Sequence, residues 1–101
     1  MSLNRFSLQG QVVRLGSLYH TPAGIPLLRF WLEHRSQQLE AGYKRQAYCR
    51  IEVLASGTEL STRAQALRVG STLQVSGFLS RESLRDERLV LHSDTLDLIS
   101  E

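Results

Sequence analysis

Apolar and polar residues alternate with a period of two along most of this 101-residue chain, and the alternation breaks at glycines and polar clusters. Period two is the repeat of a strand that buries one face, because successive side chains point to opposite sides of the pleat. The longest such region is Gly24–Gly57, GIPLLRFWLEHRSQQLEAGYKRQAYCRIEVLASG, in which two alternating runs flank a polar stretch containing Gly42. It predicts a long antiparallel hairpin. With Leu28, Phe30 and Leu32 turned inward, Arg29, Trp31, Glu33 and Arg35 point outward. With Ala47, Cys49, Ile51 and Val53 inward, Gln46, Tyr48, Arg50 and Glu52 share the outer surface with Trp31. His34 keeps the inward phase, which suits a hydrogen-bonded structural histidine, and Glu33 suits either that histidine or an arginine as its partner.

The rest of the chain supplies three more strands and a helix. A first strand from about Asn4 to Leu15 alternates through Phe6, Leu8, Gly10 and Val12, then changes phase at Val13 and Leu15. The change predicts a bulge or bend between Gly10 and Val13, which lets one strand serve two sheets. Gly16–Gly24, with Tyr19, His20 and Pro22, reads as a loop. After Gly57, Thr58 is placed to cap a short helix through about Leu67, with Leu60, Ala64 and Leu67 on one face and Glu59 four residues before Arg63. Beyond Gly70, Leu73, Val75 and Leu79 line one side of a fourth strand around Gly77, and the charged segment Arg81–Glu87 leads to a fifth strand over about Arg88–Ile99. Strands in this number, the first one bent, with a helix between the third and fourth, describe an all-β fold, the five-stranded Greek-key OB-fold barrel. An SH3-like barrel lacks the helix, and an RNA-recognition sheet needs two helices in an order the pattern does not supply. At this length the chain reads as one domain, residues 1–101.

Composition changes this picture little, whereas the distribution of charge changes it more. Hydrophobic content of 42% and charged content of 22% are ordinary for a globular chain. No apolar run approaches a membrane span and the N-terminal segment lacks the order of a signal peptide, so a cytoplasmic protein without membrane contact is expected. The single cysteine, Cys49, sits in the inward phase and is expected to be a small buried core residue. His20, His34 and His92 are far apart in sequence, and no phosphate-binding glycine loop, GxGxxG, HExxH or GxSxG occurs, so no catalytic, metal or cofactor site is expected and the chain reads as non-enzymatic. The formal charge of +2 is unevenly spread. Residues 1–50 carry Arg5, Arg14, Arg29, Arg35, Lys44, Arg45 and Arg50 against only Glu33 and Glu40, while the second half is net acidic. All but one of the basic residues are arginine, whose planar guanidinium forks onto phosphate and stacks on bases.

In an OB-fold, ligands lie across the second and third strands, bounded by the loops after the first and fourth. Those places are the outer face of the hairpin, the Gly16–Gly24 loop and the Arg81–Glu87 loop. A face that mixes arginines with a Trp and a Tyr suits a single-stranded nucleic acid, because cations meet phosphates while rings stack on bases. Arg29, Trp31 and Arg50 on that face, with Arg81, Arg85 and Arg88 around the charged loop, are therefore candidate contacts. Trp31 suits a subunit interface equally well. Arg5, Arg63 and Arg68 read as isolated, solvated cations.

The residues also resemble a known family. GIP at Gly24–Pro26, LEHRS at Leu32–Ser36, EAG at Glu40–Gly42, RQA at Arg45–Ala47 and VLH at Val90–His92 are similar to the bacterial primosomal replication protein N (PriB) family, over nearly the whole chain. EHRS, EAG and RQA at this spacing carry the resemblance, since no structural pattern demands them. The resemblance implies a homodimeric OB-fold protein that binds single-stranded DNA, assists replication restart, and works with a PriA-type helicase and a further, helicase-loading primosome component. It also implies DNA contacts at Arg14, Arg35, Tyr43, Arg45 and Tyr48, with Lys44 added by adjacency. Two departures stand out. The family pattern favours Trp where this chain has Tyr48, and it expects a longer, lysine-rich loop where this chain has arginines interrupted by Glu82, Asp86 and Glu87. Both predict weaker DNA binding than is typical, and the alternative is an interaction adaptor within the primosome for which DNA is secondary.

Overall fold

The computed structural model describes residues 2–101. In chain order the elements are β1 (Phe6–Leu15), β2 (Tyr19–His20), β3 (Pro26–Glu40), β4 (Tyr43–Ser56), α1 (Thr58–Gln65), β5 (Thr72–Arg81) and β6 (Leu89–Ser100). The strands run in the order β1-β5-β6-β4-β3-β2, and β1 also pairs with β3, so five of the six close on themselves. All pairings are antiparallel except β4 with β6. This is the expected Greek-key barrel with its helix between the third and fourth barrel strands.

Closure depends on the bend foreseen in β1. Phe6–Gln11 pair with β5, Gln11–Leu15 pair with β3, and the register slips between Val12 and Arg14. Gly10 lies where β1 crosses onto β3, and a Cβ there would stand 2.4 Å from the Glu33 carbonyl oxygen. A second crossing is as tight, since a Cβ on Gly77 would stand 1.9 Å from the His92 carbonyl oxygen, beside the register shift between β5 and β6. Inside, Val12, Leu28, Phe30, Leu32, Val53, Leu73, Val75 and Leu91 are almost fully shielded from water. Each such side chain contributes about 1.5–3 kcal/mol of transfer free energy. The helix packs against the barrel with Ala64 buried and Leu60 set against the same cluster, and Leu67, just past the helix end, is buried beside them.

Four local expectations change. The Gly16–Gly24 loop contains a short extra strand, since Tyr19 and His20 pair with Leu27 and Pro26. The helix begins behind Gly57, not behind a capping Thr58; Gly57 has φ 99°, no side chain caps the end, and the Gly57 carbonyl accepts from Ser61 N–H at 3.0 Å. Thr58 is already helical, so its hydroxyl is out of position to cap, and the helix stops at Gln65. Cys49 is exposed, although its phase is the inward one. The reason is length. At ~3.4 Å per residue β3 reaches close to 50 Å, whereas β1 pairs with it no farther than Glu33. Beyond that rim the hairpin is a two-stranded arm whose inward phase meets no core.

The Gly77 crossing gives a direct test. Gly77→Ala places a methyl group against backbone that cannot move independently, and overpacking of this kind is expected to cost about 3 kcal/mol. Urea unfolding should show a lower midpoint at unchanged slope. A midpoint within error of the parent would contradict this account of the crossing.

Candidate nucleic-acid interface

The register of the hairpin decides which side chains meet. Arg29 stands opposite Leu54, Trp31 opposite Glu52, Glu33 opposite Arg50 and Arg35 opposite Tyr48. These pairs alternate with the core pairs and so share the outer face of the barrel. Arg14 joins them from β1, where the bulge sets it opposite Trp31. A hollow of about 220 Å³ lies between Val13, Arg14, Trp31 and Arg50.

Two carboxylates organise this face. Glu33, with a side chain only 15% exposed, accepts from Arg35 Nε at 3.1 Å, Tyr48 Oη at 3.1 Å and Arg50 Nε at 2.9 Å. The Arg35 guanidinium also lies over the Tyr48 ring at 4.4 Å. The hydrogen bond from Arg35, backed by those from Tyr48 and Arg50, holds the Glu33 carboxyl below its ordinary range against the opposing effect of desolvation. Because Arg35 donates to Glu33 through Nε, its Nη groups stay free, and its side chain is 68% exposed. Glu33 is thus an arginine partner; His34 turns elsewhere, with Nδ1 2.6 Å from the Gln9 carbonyl oxygen and Nε2 2.6 Å from Ser36 Oγ.

The second carboxylate is Glu52, expected on the surface by its phase but in fact buried. It is covered because the segment between β5 and β6 folds over it. Arg29 Nη1 donates to Glu52 at 3.3 Å and to Glu82 at 2.8 Å, and Arg88 Nη2 lies 3.5 Å from Glu52 and 3.8 Å from Glu82. The Arg88 guanidinium sits 5.8 Å from the centre of the Trp31 ring. The segment is internally ordered: Glu82 N–H donates to the Arg88 carbonyl, Ser83 Oγ accepts from Arg85 and Asp86 N–H, and Asp86 Oδ1 accepts from Arg88 N–H. Arg81 and Arg85 are exposed, and among the described residues they form no ion pair, nor do Arg14 and Lys44.

The arm of the hairpin is less unified than the sequence suggests. It turns through Ala41 and Gly42, both at positive φ (52° and 84°), the geometry of a two-residue turn that matches strand twist. Lys44 keeps the phase of Tyr48, but Tyr43 and Arg45 have the opposite one, opposing Glu40 and Gln38. The structure therefore brings together Arg14, Arg29, Trp31, Arg35, Tyr48, Arg50 and Arg88. It leaves Tyr43 and Arg45 on the other face of the ribbon, where Arg45 pairs with Glu40 at 3.2 Å.

Sequence reading missed one aromatic feature of the same outer surface. Phe78 and His92 stand opposite each other on β5 and β6, and His92 stands opposite Leu54 of β4, which continues the Arg29 row. Their rings stack at 4.8 Å with an interplanar angle of 3°, and Phe78 remains half-exposed. The only signal was that Phe78 falls in the outward phase of its strand. Among the described residues no group of three His, Cys, Asp or Glu side chains is placed to hold a metal ion, and no helix is long and apolar enough to cross a membrane.

Known proteins resemble the chain as a whole. A family model described as "Another single-strand binding protein family" matches residues 4–95. Replication restart protein PriB of Photorhabdus laumondii is 48% identical over 101 residues, spanning 98% of this chain and 96% of that protein. The corresponding protein of Proteus mirabilis is 45% identical over the same span. The solved structure of priB from Ralstonia solanacearum superposes with a TM-score of 0.87 at 30% identity, covering 96% of this chain and 98% of that one. A single-stranded DNA-binding protein from Thermus aquaticus shares the fold, with a TM-score of 0.76 at 21% identity over 97% of this chain and 50% of that one. Matched over nearly its whole length by a single-strand-binding family model and by these relatives, the chain belongs to the replication restart protein PriB family.

Proposed function

We propose that this protein binds single-stranded DNA without strong sequence preference and acts, without catalysis, in replication restart in the cytoplasm. The observation that carries the reading is the outer β3–β4 face, where Trp31 and Tyr48 stand among Arg14, Arg29, Arg35 and Arg50. Rings supply stacking platforms for bases, and guanidinium groups supply charge-assisted bonds to phosphates. Arg35 is the best presented, since Glu33 fixes its Nε while its outer edge stays open. Arg81, Arg85 and Arg88 flank this face from the β5–β6 segment. Lys44, Tyr43 and Arg45 extend it along the arm, the last two by way of the ribbon's opposite side. The working form is a homodimer, with a PriA-type helicase and a helicase-loading primosome component as protein partners; family membership supports this part of the reading.

One observation favours the adaptor as a second reading. Arg29, Arg35, Arg45, Arg50 and Arg88 are already ion-paired within the chain, so each phosphate contact competes with an internal carboxylate. Binding of moderate strength is expected on either reading, and the adaptor differs in holding its protein partners more tightly than DNA.

Fluorescence anisotropy with a labelled oligonucleotide tests the DNA face. Tyr48→Ala should raise Kd about tenfold, the scale of one lost stacking contact, while Arg63→Ala, on the helix, should leave it unchanged. Equal affinities at matched salt would remove the case for this face. The logarithm of Kd should also rise with that of salt concentration by about 0.7 per cation engaged; no binding at low salt, or a flat dependence, would sink the DNA reading. Sedimentation equilibrium should give twice the chain mass of 11.4 kDa, and a monomer at micromolar concentration would remove the dimer.

A further inference from the structure

The segment between β5 and β6 does more than flank the proposed DNA face, because two of its side chains already occupy it. Glu82 brings a carboxylate oxygen to 2.8 Å from Arg29 Nη1, where a phosphate oxygen would accept. Arg88 brings a planar guanidinium over Trp31, where a base would stack. The two residues are tied to each other through the Glu82 N–H bond to the Arg88 carbonyl at 2.9 Å, so they engage and release as a unit. Beneath them Glu52, at 10% side-chain exposure, contacts both Arg29 and Arg88. It stays in place whichever anion sits on Arg29.

We propose that Glu82 and Arg88 form an internal nucleotide mimic, a latch that a single-stranded DNA displaces by exchanging phosphate for Glu82 on Arg29 and base for Arg88 on Trp31. The proposal rests on the DNA reading above and specifies what limits affinity in it. The latch explains how a segment rich in arginine contributes less attraction than its cation count suggests. Arg88 is held over Trp31 as a competitor of the base, and Arg29 begins neutralised by Glu82. Displacement frees Arg88 to join the already exposed Arg81 and Arg85 along the DNA backbone, so the segment changes from cover to clamp. Glu82 is thereby an affinity-setting residue that touches no DNA.

Trp31 is the sole tryptophan, which makes its fluorescence a reporter of the latch with or without DNA. Glu82→Gln keeps size and hydrogen-bonding capacity but removes the charge that competes with phosphate. In the free protein, acrylamide should quench Trp31 more strongly in E82Q than in the parent. In anisotropy titrations with a labelled oligonucleotide, E82Q should bind about fivefold more tightly, the scale of one competing ion pair. Its salt dependence should steepen by about 0.7, since one further cation now sheds counterions. Arg88→Gln should likewise raise Trp31 quenching, and circular dichroism identifies any variant that fails to fold. A parent that binds while E82Q binds equally or more weakly overturns the latch and leaves the DNA reading intact. A parent and variant that both fail to bind at low salt overturn the DNA reading, and with it the exchange. Unchanged quenching of Trp31 in both variants overturns the latch by itself.

Discussion

The turn of β1 at Gly10 and Val12 is the constraint on which the other features rest. By giving Phe6–Gln11 to β5 and Gln11–Leu15 to β3, one strand bridges β5 and β3 and closes the barrel part of the sheet. Closure fixes an inside, which Phe30, Leu32, Leu73 and Leu91 fill, and therefore fixes an outside for every alternate residue of β3, β4, β5 and β6. The bulge between Val12 and Arg14 adds a second consequence, because it re-aims Arg14 to stand opposite Trp31. Fold closure and the assembly of the candidate interface are thus one event.

A face that gathers arginines must solve their mutual repulsion, and here it does so from below. Glu33 and Glu52 lie against the sheet at 15% and 10% side-chain exposure, while Arg29, Arg35, Arg50 and Arg88 lie above them at 39% to 68%. Desolvation alone would raise the Glu33 carboxyl, yet the hydrogen bond from Arg35, with those from Tyr48 and Arg50, holds it below its ordinary range. The arrangement also orients the cations. A guanidinium held through one edge keeps the other available in a fixed direction, which a free arginine gains only by losing side-chain entropy. The acids that offset part of the local positive charge are therefore part of how the cations are presented.

The hairpin shows how far alternation carries. Leu28, Phe30, Leu32 and Val53 are buried as their phase requires, and Trp31, Tyr48 and Arg50 fall on one outer face. The same rule fails at Cys49 and at Glu52 for opposite reasons. Cys49 has the inward phase but lies past the rim, where no strand covers the arm. Glu52 has the outward phase but lies beneath the β5–β6 segment. Phase gives the direction of a side chain, whereas burial depends on what else occupies that side, and the occupant comes from far along the chain.

The sequence by itself determined the strand periodicity, the bend in β1, the position of the helix, the family and the shared outward phase of Trp31, Tyr48, Arg29, Arg35 and Arg50. These are local properties or patterns of residue identity, carried by the 3.4 Å rise and alternation of a strand or by short matched segments. Only the tertiary structure decided that Glu33 joins Arg35, Tyr48 and Arg50, that Glu82 and Arg88 close over Arg29 and Trp31, and that Phe78 and His92 stack beside them. Those pairings set residues from different strands and from a distant loop within a few ångströms of one another. Their geometry follows from barrel closure and register, which no single segment of the chain contains.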